Sequence, residues 1–241
     1  AGDNAGSRRR GAKGELVDPV ATLQLDGVPG PVRADQSGSH PHQAIRWPGT
    51  DLFIVPNKGL DRVHVVKLAS TGELSLAGEA VAAPGAGPRH AALAPDKGLL
   101  WVCNELDSTV ATYRFDPLTA LLTMLGTAPL LPHGEVGAST GAGIVSRGDT
   151  LFVSNRGHDS IVTMKMDAQT YLPKPVQWTS TRGKTPRFIT LAPDGAHLLV
   201  ANEGSDSIVR YRIRDDGLLD DGEVVADTGS PVCVVFLPFK P

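Results

Sequence analysis

Two arginines in this chain each follow a proline, Pro88-Arg89 and Pro186-Arg187, and two histidines occupy similar settings, His42 after Pro41 and His90 after Arg89. A second group follows asparagines that end apolar runs: Glu105 after Asn104, Glu203 after Asn202, and Arg156 after Asn155 with His158 close behind. Arginine presents a planar fork of donors that pairs bidentately with phosphate or carboxylate. Gathered at one place, three arginines, a carboxylate and histidines suit a small anionic partner such as an anionic sugar or a dicarboxylate.

What could gather them is a repeat. An apolar run, an Asn, a short turn and a second run rich in β-branched residues recur, with Asn57, Asn104, Asn155 and Asn202 spaced by 47, 51 and 47 residues. Each copy holds strand-type residues without helical periodicity, which predicts an all-β propeller of four-stranded antiparallel blades rather than a helical solenoid. Pro, Asp and Gly in Ala94-Pro95-Asp96-Lys97-Gly98 and Ala192-Pro193-Asp194-Gly195 supply tight reversals between strands. Blades are expected at about 40–84, 88–132, 137–182 and 186–228. Residues 20–35 read as the two outer strands of a further, shared blade, and Val232–Leu237 as a lone inner strand. The domain division expected is a flexible segment 1–18, poor in apolar residues, and one propeller domain over 19–241.

Antiparallel alternation puts the start of an inner strand and the end of its neighbour at the same end of a blade. His42, Arg89, His90 and Arg187 begin inner strands, and Glu105, Arg156, His158 and Glu203 lie just past second-strand ends, so all are expected around one mouth of a central channel. Plainer roles compete. The repeated Asn and Asp read as caps of the strand reversal, Arg89 and Arg187 could be ion pairs between blades, and His64, His133 and His197 read as strand or loop residues without function.

Composition narrows the partners. With 23 basic and 26 acidic residues and a net charge of -3, no overall field draws the chain to nucleic acid or an anionic membrane. No apolar stretch approaches a membrane span, and the first residues lack the apolar core of a signal peptide. Cys103 and Cys233 lie in apolar runs and read as two reduced core thiols rather than a disulfide or metal site; no cofactor is expected, and without a span or signal peptide the location expected is cytoplasmic.

Six motifs in order at blade spacing carry a resemblance: His-Pro-His-Gln at 40–43, Gly-Pro-Arg-His at 87–90, Asn-Glu-Leu-Asp-Ser at 104–108, Ser-Asn-Arg-Gly-His-Asp-Ser at 154–160, Lys-Thr-Pro-Arg at 184–187 and Ser-Pro-Val-Cys-Val at 230–234. In these the chain resembles the lactonase family of seven-bladed β-propellers. The resemblance implies a hydrolase that opens a sugar lactone, above all 6-phosphogluconolactone of the pentose phosphate route, without a cofactor. It maps a catalytic cluster onto His42 (with His40 the alternative), Arg89, Glu105 and Arg187. His90, Arg156 and His158 are left to line the substrate, a phosphorylated sugar lactone. Glu105 or His42 would activate water while the arginines meet the phosphate or the developing oxyanion. A muconate cycloisomerase that forms a lactone with the same cluster, and a propeller that only binds partners, are the alternatives.

Overall fold

The computed structural model describes residues 4–10, 15–135 and 137–237. The fold is an all-β propeller type: four four-stranded antiparallel sheets and a two-stranded hairpin, the helical residues among those described being two 3-10 turns, Pro95–Lys97 and Glu203–Ser205. The hairpin pairs β1 (Asn4–Arg10) with β2 (Leu16–Gln24). The first sheet holds β3 (Ile45–Arg46), β4 (Leu52–Asn57), β5 (Arg62–Leu68) and β6 (Leu74–Val81). The second holds β7 (Pro88–Ala94), β8 (Leu99–Asn104), β9 (Thr109–Asp116) and β10 (Leu121–Pro129). The third holds β11 (Thr140–Arg147), β12 (Thr150–Arg156), β13 (Ser160–Met166) and β14 (Pro173–Ser180). The fourth holds β15 (Pro186–Leu191), β16 (His197–Asn202), β17 (Ser207–Arg212) and β18 (Glu223–Asp227). In every sheet the order in space is the order in the chain, the meander of a propeller blade, and each falls within the span its repeat predicts.

Two readings of the ends differ from what is found. Residues 20–35 do not form two outer strands: β2 ends at Gln24 and pairs backwards with β1, while Pro29, Gly30 and Pro31 interrupt any further strand because proline offers no N–H to a ladder. Gln36 instead pins this segment to the first blade, its amide donating to Lys58 O and to Asp61 Oδ1, both at 2.8 Å. Pro231–Leu237 carries no strand, since no backbone among the described residues bonds to it in a ladder. Asn4–Arg10, within the segment set apart as flexible, lies in the hairpin strand β1.

The repeat has a specific backbone geometry. Asp61, Ser108, Asp159 and Asp206, each at the same distance beyond its blade's Asn, are left-handed with φ of 50°, 52°, 53° and 55°. Short polar side chains tolerate that region best. Three of the four then act as latches. Asp61 accepts hydrogen bonds from the N–H of Gly85 and Gly87, Asp159 from Thr185 and Asp206 from Ser230, at 2.7–2.8 Å. In the second blade Ser108, not the Asp107 before it, holds the left-handed slot, and its hydroxyl donates to Ser139 O.

The chain divides into two compact units, residues 1–107 with 113–125, and residues 108–112 with 126–241. In the first, Leu25, Val55 and Val66 form a core cluster with Leu23, Phe53 and Leu74 against it, and Trp47 meets Phe115 edge-on at 4.8 Å. In the second, Phe152, Ile161, Ile189, Leu198, Val200, Val209 and Tyr211 make a larger cluster joining the third and fourth sheets. A Cβ on Gly143 would stand 2.9 Å from Ile189 Cγ1 and 3.0 Å from Ile189 N, so a bare backbone at this point of β11 lets β15 approach.

Candidate functional site

Each inner strand opens on a one-residue bulge, and the bulge positions the candidate residues. In the second blade Pro88 pairs with Asn104 but His90 with Cys103, leaving Arg89 as the extra residue. In the fourth, Pro186 pairs with Asn202 and Phe188 with Ala201, leaving Arg187. In the first, Pro41 bridges Asn57 while Ile45 already pairs with Ile54, so His42–Ala44 contain the extra residue. In the third the shift lies between Gly141 and Ile144, where Ala142 and Gly143 bring no functional side chain. Bulges re-aim side chains out of the alternation of a strand and recur beside active sites.

The first unit brings together four of the residues expected at the site. Arg89 Nε donates to Glu105 Oε2 at 2.8 Å, with side chains only 2% and 9% exposed. The Arg89 guanidinium reaches the His90 ring at 3.3 Å, and the His90 ring meets that of His42 edge-on, centroids 4.9 Å apart. Backbone bonds fix the frame: Glu105 N donates to Gly87 O, and Ala91 N to the Gln43 side-chain carbonyl, each at 2.7 Å. A residue not singled out from the sequence completes the group, Lys58, whose Nζ lies 3.2 Å from Glu105 Oε1 and 3.3 Å from Asp35 Oδ1. Glu105 thus has a cation on each oxygen. Leaving either charge of such a buried pair without its partner is costly, so the cluster is held as a unit.

The second unit holds the other candidates. Arg187 Nη1 is 3.3 Å from Glu203 Oε2, the same sixteen-residue separation as Arg89 and Glu105, but the side chains are 35% and 29% exposed. Arg156 donates to Gly141 O at 3.3 Å. His158 Nδ1 is 2.6 Å from Ser160 Oγ, its Nε2 is 3.9 Å from Glu135 Oε1, and it lines a cavity of about 450 Å³ with Leu131, Ala138 and Ser139. The repeated asparagines tie loops rather than face a ligand: Asn57 Oδ1 accepts from His40 N, and the amides of Asn155 and Asn202 donate to Leu130 O and Thr181 O. Another cavity, of about 620 Å³ between the hairpin and the first blade, is lined by Arg8, Arg46 and Asp51 and contains none of the candidates. No group of three or more metal-ligating side chains occurs among the described residues.

Against known proteins, a family model described as "Lactonase, 7-bladed beta-propeller" matches residues 7–236. A 6-phosphogluconolactonase of Bacillus subtilis is 30% identical over 227 residues, covering 93% of this chain and 64% of its own length. A 6-phosphogluconolactonase of Pectobacterium carotovorum is 29% identical over 209 residues, covering 84% of this chain and 58% of its own. Among solved structures, a protein from Lactobacillus plantarum matches with a TM-score of 0.90 at 30% identity, over 98% of this chain and 69% of that one. The periplasmic gluconolactonase of Pseudomonas aeruginosa matches at 0.86 and 26% identity, over 98% and 66%. The chain therefore spans less than two-thirds of the length of these two curated relatives.

Proposed function

For a chain that belongs to the lactonase family of seven-bladed β-propellers, we propose that the activity is hydrolysis of a sugar lactone, with 6-phosphogluconolactone as the substrate. The observation that carries this reading is the buried Arg89–Glu105 pair, extended by Lys58 and flanked by His90 and His42. A carboxylate fixed this firmly is placed to take a proton from water in a single geometry, and ordering of that kind lowers the barrier to attack on an ester carbonyl. His42 is the second candidate for the same proton. Arg187, a third exposed, is proposed from its chemistry as a cation for the substrate's phosphate, with Arg156, His158 and His90 in substrate contact. The phosphorylated substrate is supported by the names of the two curated relatives, and a neutral lactone by the name of the Pseudomonas structure. A cytoplasmic location is proposed on the two free cysteines, Cys103, which is buried as expected, and Cys233, which is exposed rather than in the core.

The depth of Arg89 favours a second reading, in which the pair fastens the second blade of a propeller that binds partners without catalysis. One experiment separates them. Opening of phosphorylated and unphosphorylated gluconolactone is followed against spontaneous hydrolysis for the wild type and Glu105→Gln. The lactonase reading expects a wild type well above background and a loss of kcat of about 10²- to 10⁴-fold in the variant. A wild type at background turns the assignment to the binding propeller, and an active wild type with an equally fast variant removes Glu105 as the base.

A further inference from the structure

Of the two cations on Glu105, one is interior and the other has an open side. Arg89 is 2% exposed, whereas Lys58 keeps 17% of its side chain accessible at the end of a stem whose backbone N–H donates to His40 O at 3.0 Å. Lys58 occupies in the first blade the place that Glu105 occupies in the second, immediately after the strand-ending Asn. Its ammonium stands between Glu105 and Asp35, and the four charges of Arg89, Lys58, Glu105 and Asp35 cancel.

Resting on the lactonase reading, we propose that Lys58 is the catalytic group that meets the lactone carbonyl, and that Arg89 is a positioning residue that holds Glu105. With no substrate, Lys58 neutralises Glu105 and keeps it a weak base. When a lactone is seated, the ammonium turns from Glu105 Oε1 to donate to the carbonyl oxygen. The water oxygen then bonds to the carbonyl carbon as the C=O electron pair moves onto oxygen, forming an oxyanion that Lys58 stabilises while keeping its own protons. The proton of the attacking water passes to Glu105, which is a stronger base because one of its cations has turned away. Collapse of the tetrahedral intermediate breaks the bond from the carbonyl carbon to the ring oxygen, and the ring oxygen takes that proton from Glu105. Water has added across the ester bond, a hydroxy acid leaves, and the carboxylate is restored. A single lysine thereby ties the strength of the base to the appearance of the oxyanion.

The test uses the purified full chain and glucono-δ-lactone, a neutral substrate, so that phosphate binding does not enter. Lys58→Met is expected to lower kcat by about 10²- to 10³-fold, in the range of losing an oxyanion donor, with KM within about threefold of wild type. Lys58→Arg is expected to return kcat to within about tenfold of wild type, which a purely structural role of the lysine stem would not require. Lys58→Gln carries the same expectation as Lys58→Met, and is the variant read if the methionine form does not fold by circular dichroism. A neutral variant with kcat within about threefold of wild type overturns the proposal, as does a change confined to KM, or an arginine variant as slow as the neutral ones. Each of these leaves the lactonase reading standing. A wild type that does not exceed spontaneous opening overturns both.

Discussion

Arg89–Glu105 and Arg187–Glu203 share a position in the repeat and a sixteen-residue separation, yet they lie in different dielectric surroundings. Removing one partner of a buried pair strands a charge, which costs about 3–5 kcal/mol, while an exposed pair contributes about 0–1 kcal/mol after screening by water and salt. Arg89→Met is therefore expected to shift the urea midpoint strongly and Arg187→Met little, and equal shifts would show that the burial of the first pair has no energetic weight. At this scale the sequence was partly legible. Proline before arginine marked the inner-strand starts, and Arg89, His90, His42 and Glu105 do come together. The bulge that makes this possible was not legible, because Pro-Arg, His-Gln and Gly-Ala share no residue type that announces an inserted position. Lys58 was not legible, because its contact with Glu105 spans 47 residues and depends on how two blades are set side by side.

At the scale of strands, two features govern stability. Asp61 is 4% exposed and accepts from Gln36, Gly85 and Gly87. Asp61→Ala leaves those donors without their acceptor and retains a side chain at positive φ, so a loss of about 2–4 kcal/mol is expected by urea unfolding, against near-wild-type stability if water replaces the carboxylate. The second feature is His64 on β5, whose side chain is 1% exposed and 3.3 Å from Glu79 on β6. Burial lowers its pKa from 6.5, more than Glu79 raises it. As pH falls through 6.5 the unfolded chain takes up a proton that the folded chain refuses, so the stability tied to His64 is present above that pH and drains away below it. His64→Gln is expected to flatten the decline in urea midpoint between pH 7.5 and 5.5 relative to wild type, and parallel declines would remove His64 as its source. The blades themselves could be read from the sequence because apolar runs end at an Asn and turn residues at a regular interval. Residues 20–35 misled because their apolar content matches a strand, while Pro29 and Pro31 deny it a ladder.

Over the whole molecule, the fold class was legible because a repeat multiplies a weak local signal by four, whereas the end segments had no second copy to check them against. Pro231–Leu237 is the clearest case: it has the composition of an inner strand, but a strand needs a partner backbone, and composition carries no information about the partner. Within it Val232, Val235, Phe236 and Leu237 are 50%, 73%, 43% and 83% exposed. Exposed apolar segments of high β-propensity promote association between chains. Val235→Ser with Leu237→Ser is expected to reduce light scattering on concentrating the protein, and unchanged scattering would locate any association elsewhere.

The aspartate latches have a bearing on how the chain is made. Each reaches 24 to 26 residues toward the C-terminus, so part of the bonding of each carboxylate waits on N–H groups that lie beyond the last strand of its own blade. A blade emerging from the ribosome is therefore complete in its strands before it is complete in its bonds, and its latch closes only when the three to six residues beyond its last strand have been made. A pause in translation at the end of a blade's last strand is therefore the point at which the nascent sheet has its strands but lacks its latch.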